Sequence, residues 1–514
     1  MKSASVIALL AAVVLAAGNV VLGPLNQDEG WYLLAGLNTA SGLMPYRDFL
    51  FTQGPAMPLI YAAASPLWGP FGVLGGRVFT ASLGLVAAAF CAGAAWRLAS
   101  ERARPFAALV AWLLVAACPV FSYFTAIPKT YALSGLCIAA AFFTLSGARS
   151  WRFECAGALL AVAAGTRLSL GILLAVVGFG LLFLHRRPGL RRGWFRFGIG
   201  GGLVLVALYG AFAALSLDGL LFSQTYHASR TDAPFFQWLL LRAGSLSRLL
   251  QGYFPIVVAA GVALVARAGR RSESRLNSVV WLALAGFLAA TLVHGLAPFP
   301  YDDYQTPVMP LAAVVVAVSL ADVLAESGLR HDVMAWAMVV TAGLFMVSSP
   351  LCMDWVTIRK DRFWMEMKET PDLFKLREVG AWLRENTAPG DVLLTQDAYL
   401  AVEARRKVLP GLEMGPFSLF PDLDDETARR RRVHNVATLA TAIAETDAPV
   451  AALSGYAFAV SCPTTERLAP ELARTLADAV RAHYEPVKTV ADFGQGHTTL
   501  ELHRRRAPET DAAN

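Results

Sequence analysis

Long apolar runs fill the first 350 residues of this 514-residue chain and leave it few folds to adopt. Only 16% of all residues are charged, against roughly 25% in a soluble protein, so lipid must cover much of the surface. We therefore predict a mainly α, polytopic transmembrane helix bundle over residues 1–352, with about eleven spans of up to roughly twenty residues each. The candidate spans are 4–22, 74–96, 105–122, 132–147, 154–166, 168–184, 197–215, 253–267, 277–296, 306–324 and 333–350.

The stretch 154–184 needs a separate argument. As one helix it would be about 48 Å long at 1.5 Å per residue, which exceeds a bilayer core of about 30 Å. Arginines precede and follow it, and positive charge at both ends favours a return to the same side. We predict two short passes that turn near Thr166 and Arg167.

The distribution of Lys and Arg predicts the topology. With Lys2 in the cytoplasm, the cytoplasmic segments hold sixteen of these residues and the longer outer segments between spans hold seven. This excess follows the positive-inside rule, so we predict a cytoplasmic N-terminus in the inner membrane. It also accounts for the net charge of +6 without a nucleic-acid partner. The first run resembles a signal peptide, but it is long enough to span, and we predict an uncleaved helix.

Beyond residue 352 the apolar stretches are short and charges are dense. Periodicity over 372–386 predicts a helix, and 392–395 reads as a buried strand after Pro389-Gly390. We predict a soluble, extracytoplasmic α/β domain over residues 353–506 and a disordered tail over 507–514. The other predicted helices are 425–445 and 464–483, and the other predicted strands are 450–453, 487–490 and 498–502.

The first outer loop, residues 23–73, is long for a connector, and long ordered loops often carry function. It opens with two adjacent acids, Asp28 and Glu29, directly after the first span. A carboxylate there can act as a general base on an attacking hydroxyl or amine. Alternatively, Asp28 caps the following helix and Glu29 interacts favourably with its dipole. The two interpretations are compatible.

The order of these features resembles the GT-C membrane glycosyltransferases, in particular the protein O-mannosyltransferases and the lipid A aminoarabinose transferases. The supporting segments are the Asp-Glu pair after the first helix, AGTRLSLGILL at 164–174 and PYDDYQTPVMPLAAVVVA at 300–317. The resemblance implies a polyprenyl-phosphate-linked sugar as donor, bound at the outer face of the membrane. The acceptor is left open between glycan, lipid and protein. By motif match Asp28 is the expected base, with Glu29 second.

A leaving phosphate needs cations nearby. Lys129 and Arg167, with Tyr301 and Tyr304, are the candidates for binding the donor phosphate. Each has a structural alternative: Lys129 can snorkel from a helix end, Arg167 can anchor at the interface, and the tyrosines can belong to the aromatic belt. The candidates for substrate binding are Arg47, Asp48, His227, Arg230, Asp302 and Asp303.

No cofactor is predicted. Paired acids such as Asp302 and Asp303 invite a divalent metal, but two carboxylates supply too few ligands, and no His/Cys metal spacing occurs. Two other functions stay open. A transporter or lipid flippase would show matching halves and ionisable residues at mid-bilayer. A non-catalytic envelope assembly protein would keep the fold without the chemistry.

Overall fold

The computed structural model describes residues 2–186, 191–225, 234–268, 277–325, 330–348, 370–458, 460–461 and 466–507. The helices of the N-terminal part are α1 (Lys2–Leu22), α2 (Gln27–Ala40), α3 (Ala56–Trp68), α4 (Gly72–Leu98), α5 (Arg104–Ala116), α6 (Pro119–Ala126), α7 (Thr130–Leu145), α8 (Arg152–Thr166), α9 (Gly171–Phe183), α10 (Gly193–Leu205), α11 (Ala211–Thr225), α12 (Phe235–Gly252), α13 (Phe254–Ala268), α14 (Ser278–Gly295), α15 (Met309–Ala325) and α16 (His331–Ser348).

Several of these helices are long and apolar enough to cross a membrane. Within the described ranges they are Lys2–Leu22, Ala56–Leu98, Gly193–Thr225, Ser278–Gly295 and Asp302–Ala325, which makes five. The number rises to seven if α5 with α6, bent by 59°, and α12 with α13, bent by 80°, each count as one span. The helical bundle is thus as expected, and the figure of eleven spans stays a prediction.

Breaks within the apolar runs explain the difference in span number. The run 105–122 is one apolar stretch in the sequence, but the chain leaves the helix before Pro119, whose ring fits only the first turn of a new helix. The run 154–184 is interrupted where predicted: α8 ends at Thr166, Arg167 is extended, and a short 3₁₀ turn leads into α9. The predicted span 333–350 ends partly outside the described residues.

The loop after α1 is ordered and largely buried. Its helix α2 begins with a capping box, in which the Asn26 side chain accepts from backbone amides of the first turn and the Glu29 side chain accepts the Asn26 amide. Successive residues Trp31, Tyr32 and Leu33 are all buried. Three successive residues point in different directions around a helix, so protein surrounds this part of α2.

The C-terminal part, called the C-terminal domain below, combines helices with a small β-sheet. Its helices and strands are α17 (Asp372–Glu385), β1 (Val392–Leu394), α18 (Ala398–Ala404), β2 (Lys407–Val408), α19 (Asp425–Arg430), α20 (Val436–Glu445), β3 (Val450–Leu453), β4 (Val460–Ser461), β5 (Glu466–Arg467), α21 (Pro470–His483), β6 (Tyr484–Phe493) and β7 (Thr498–Arg505). The five-stranded sheet has the order β2-β1-β3-β7-β6. Strands β1, β2 and β3 are parallel, and β7 is antiparallel to both β3 and β6.

Two sequence predictions for this domain need correction. The helix predicted over 425–445 is two helices, because Arg432 adopts a left-handed conformation and Asn435 caps a new helix start. The helix predicted over 464–483 begins only at Pro470, and Glu466–Arg467 form a strand instead. The boundary at residue 352 and the tail from 508 lie outside the described residues.

The C-terminal domain packs directly on the first loop. A Cβ atom at Gly30 of α2 would lie 2.3 Å from the backbone nitrogen of Tyr399 in α18, so only glycine permits this approach. Next to it, the Trp31 ring meets the edge of Phe417 at 4.9 Å between centroids. The helix that carries the two acids is therefore held between the bundle and the C-terminal domain.

Candidate active site

Glu29 is fully buried and is used to hold the loop in place. Its two carboxylate oxygens accept hydrogen bonds from Nε and Nη2 of Arg77, both at 2.7 Å. Arg77 also donates to the carbonyl oxygens of Val20, Gly23 and Pro24. A bidentate pair of this kind fixes both partners. The prediction of Glu29 as an alternative base receives no support from this geometry.

Asp28, one residue earlier, contacts different residues from Glu29. Its Oδ2 lies 2.6 Å from Nζ of Lys129, which is also 3.4 Å from Oδ2 of Asp303. The Lys129 side chain is only 7% exposed, whereas that of Asp28 is 30% exposed. One buried ammonium group is thus shared by two carboxylates, and the more accessible carboxylate is Asp28.

Arg167 approaches the same place from the break between α8 and α9. Its guanidinium lies 4.0 Å from the centroid of the Tyr304 ring and 5.4 Å from that of Tyr131. Its Nε is buried and makes no hydrogen bond to the described protein atoms. Tyr304 in turn contacts Tyr301, with 5.4 Å between the ring centroids. The arginine therefore keeps its charge next to aromatic faces and retains capacity to donate to a ligand.

These groups line one cavity of about 480 Å³, which we call the central cavity. Six of the residues singled out from sequence meet there: Asp28, Lys129, Arg167, Tyr301, Asp303 and Tyr304. Its other walls include Tyr32 and Gln53 from the first loop, and Phe417, Gln495 and His497 from the C-terminal domain. Burial and the nearby charge of Asp28 raise the pKa of the Tyr32 phenol, so this group stays a hydrogen-bond donor.

The remaining candidates lie elsewhere. Arg47 and Asp48 pair with each other at 2.6 Å and do not line the central cavity. Asp302 turns away from Asp303 toward Arg248, at 3.6 Å. His227 and Arg230 lie outside the described residues. Within the described ranges no cluster of three or more His, Cys, Asp or Glu residues could hold a metal ion.

Comparison with known proteins identifies the fold. No family model and no curated protein sequence matches the chain. Among solved structures, ArnT from Cupriavidus metallidurans bound to undecaprenyl phosphate superposes with a TM-score of 0.62 at 13% identity, covering 97% of both chains. The same protein in its apo state gives 0.62 at 14% identity over 98% of both chains. The arabinofuranosyltransferase AftD from Mycobacteria gives 0.47 at 14% identity, over 98% of this chain and 40% of that one. The chain has the GT-C glycosyltransferase fold.

The helical part contains two further spaces, one of which adjoins the central cavity. A side cavity of about 330 Å³ shares Gln53, Arg167 and Tyr304 with it and adds Ser169 and His294. An apolar groove of about 960 Å³ lies between α12, α13, α14 and α15. Gln305 lines the groove and hydrogen-bonds His294 of the side cavity. One residue pair therefore links the groove to the side cavity, and the side cavity shares walls with the central cavity.

Sequence reasoning missed several residues in and around the central cavity. Arg77 lies within an apolar run, where an ionisable residue is costly unless paired, and that cost was the available signal. Gln53 and Gln495 carry no such signal, because polar loop residues are common. Gln495 follows Asp28 by 467 positions, so only the folded chain shows that they share a cavity.

Proposed function

We propose that this protein is a membrane glycosyltransferase that moves a sugar from a polyprenyl-phosphate-linked donor to an acceptor at the outer face of the cytoplasmic membrane. The observation that supports this most strongly is the meeting of one accessible carboxylate, Asp28, with Lys129 and Arg167 in the central cavity. Glycosyl transfer from a phosphate needs these two functions together: a base for the acceptor and cations for the leaving group.

The donor lipid fits the groove and the two cavities. The apolar groove is lined mainly by aliphatic and aromatic side chains, which suits an isoprenoid chain. If the lipid chain lies in the groove with its head group near Gln305, the phosphate would reach Arg167 through the side cavity. ArnT was solved with undecaprenyl phosphate bound, which supports a ligand of this class here.

The reaction then follows from the positions of the charges. The Asp28 carboxylate takes the proton of the acceptor hydroxyl or amine as that atom attacks the anomeric carbon. The bond between this carbon and the phosphate oxygen breaks, and polyprenyl phosphate leaves with the bonding electrons. Arg167 and Lys129 stabilise the charge that develops on the phosphate. A single base and a direct displacement would invert the anomeric centre.

Lys129 also holds the base in place. Its ammonium group lies 2.6 Å from Oδ2 of Asp28. When a donor phosphate arrives, the same ammonium can turn toward it, since Asp303 at 3.4 Å already holds it loosely. The carboxylate is then free to accept a proton.

An Asp28→Asn variant tests the proposal. Purified protein in lipid nanodiscs is incubated with a panel of radiolabelled polyprenyl-phosphate sugars and total envelope acceptors, and release of polyprenyl phosphate is measured. Removing a general base typically lowers the rate by about 10²- to 10⁴-fold. We expect this loss in Asp28→Asn with normal folding.

The matched control is Asp332→Asn, which removes an exposed carboxylate paired with Arg330 at 3.0 Å, away from the central cavity. It should transfer sugar at the wild-type rate. Equal rates for Asp28→Asn and wild type would exclude Asp28 as the base, and no release from any donor by the wild type would contradict the function itself.

A further inference from the structure

The turn between β6 and β7 reaches from the C-terminal sheet into the central cavity. We call residues 492–497 the cavity turn. Three of its residues, Asp492, Gly494 and His497, have positive φ angles, a strained combination for the two that are not glycine. Such strain persists only where surrounding contacts enforce it. Two members of the turn, Gln495 and His497, line the cavity.

Contacts within the C-terminal domain hold the cavity turn rigidly. Lys375 Nζ lies 2.9 Å from Oδ2 of Asp492, and the other oxygen of Asp492 lies 3.1 Å from His497 Nδ1. A Cβ atom at Gly494 would come within 2.6 Å of the Tyr399 hydroxyl, so the backbone lies directly against that side chain. These contacts connect the cavity turn to the rest of the C-terminal domain.

The cavity turn also contacts the start of α2. The backbone N–H of Gln27, the residue before Asp28, donates a hydrogen bond to Oε1 of Gln495 at 2.8 Å. The first amides of a helix have no partner within the helix, and here one of them is satisfied by a side chain 468 positions away. Gln495 thus acts as a cap supplied by another domain.

Two more bonds from the C-terminal domain secure the same segment. Asp397 Oδ1 accepts from the Gln27 side-chain amide at 2.6 Å, and Asp372 Oδ2 accepts from the backbone of Leu25 at 3.1 Å. The segment that leads into Asp28 is therefore bonded to the C-terminal domain, whereas Asp28 itself is bonded to Lys129 of the bundle. The position of the carboxylate depends on both.

We propose that Gln495 is a positioning residue, through which the C-terminal domain sets the distance and direction of the Asp28 carboxylate in the central cavity. This inference rests on the proposed function and adds a role for the domain in the chemical step. A misplacement of about 1 Å at a reacting group can cost roughly 10²-fold in rate. Loss of the Gln495 bond should therefore lower kcat and leave the donor KM unchanged.

The experiment compares substitutions at residue 495 that differ in whether they can accept the Gln27 amide. Gln495→Leu keeps the size of the side chain without the acceptor, and Gln495→Asn keeps the amide but is too short to reach. Gln495→Glu retains an acceptor oxygen at the same length. We expect a fall in kcat of about 10- to 100-fold for the first two and recovery of most of the rate in Gln495→Glu.

Asp424→Ala is the matched control. It removes another helix cap of the same domain, in which Asp424 accepts from the Thr427 amide at 2.8 Å, on an exposed surface outside the cavity. Thermal unfolding and binding of undecaprenyl phosphate are measured for every variant. We expect Asp424→Ala to lose stability without losing kcat, and the uncharged variants Gln495→Leu and Gln495→Asn to bind undecaprenyl phosphate as the wild type does.

The outcomes separate the two proposals. Wild-type kcat in both Gln495→Leu and Gln495→Asn would overturn the positioning role and leave the transferase function standing. A loss of kcat in Asp424→Ala as large as in Gln495→Leu would also overturn it, because general destabilisation would then suffice. An inactive wild type would contradict the transferase function instead. Should Gln495→Leu fail to fold, Gln495→Asn carries the comparison.

Discussion

Two neighbouring acids, Asp28 and Glu29, have opposite environments at the residue scale, and this predicts opposite phenotypes. Glu29→Gln would leave Arg77 buried with half of its bidentate partner, and breaking a buried pair typically costs about 3–5 kcal/mol. We expect a markedly lower thermal unfolding temperature for Glu29→Gln, and a smaller decrease for Asp28→Asn, because Asp303 still pairs with Lys129 at 3.4 Å. Differential scanning fluorimetry of both variants in the same detergent measures this contrast.

The reverse result has a clear meaning. A Glu29→Gln variant that unfolds like the wild type but transfers no sugar would make Glu29 the base.

The sequence alone could not separate these acids, because both are adjacent polar residues at a helix start. What separates them is Arg77, which is 48 positions from Glu29 and lies on α4, two helices further along the chain. By contrast, the sequence did predict that Asp28, Lys129 and Arg167 belong to one site, because topology brings all three to the same end of the bundle.

Within the C-terminal domain, the segment between β2 and α19 carries a buried carboxyl group with consequences for stability. Burial raises the pKa of Glu413 to about 7, although its Oε2 accepts the Gly411 amide at 2.9 Å. An unfolded glutamate titrates near 4.3, so the folded state binds this proton more tightly. Stability is therefore lost as the pH rises from the unfolded pKa through the folded one.

Glu413→Gln should remove that dependence. The amide keeps an acceptor for Gly411 and cannot ionise, so we expect the variant to unfold at a higher temperature than the wild type at pH 8 and to show no such gain at pH 5. Thermal unfolding at several pH values between 5 and 8 measures the effect. A gain of equal size at both pH values would show that Glu413 is not the titrating group.

Elements with strong local signals were predictable from sequence, and elements decided by one backbone angle were not. Strand 450–453 was predicted with the observed bounds, because a short apolar run between polar segments fits a buried strand. The helix break between Arg430 and Val436 depends on the positive φ of Arg432, which a non-glycine residue adopts rarely. The sequence around it, rich in arginine and alanine, favours helix throughout.

At the scale of the whole molecule, the first loop and the C-terminal domain must lie on one side of the membrane, since they are in contact. With the predicted cytoplasmic N-terminus, that side is the outside. We expect alkaline phosphatase fused after residue 506 to be active, and green fluorescent protein fused there to stay dark. A fluorescent fusion would show the opposite topology, with the central cavity at the cytoplasmic face.

The sequence also predicted a soluble α/β domain over residues 353–506, without indicating which part of the bundle it contacts. Composition identifies the domain, because charge density rises after residue 352. It does not reveal that Gly30 lies against the backbone of Tyr399, since a glycine inside a helix has no local signature of a distant neighbour. Contacts between segments more than 340 positions apart are visible only after folding.

The hydrogen bond between Gln27 and Gln495 joins a segment that is synthesised early to one that is synthesised late. The start of α2 leaves the ribosome among the first segments, yet the group that completes its cap lies in the last hairpin of the chain. Domains generally fold as they are made, from the N-terminus onward. A nascent or prematurely terminated chain would therefore contain α2 without this cap, and the segment that leads into Asp28 would lack one of the bonds that hold it.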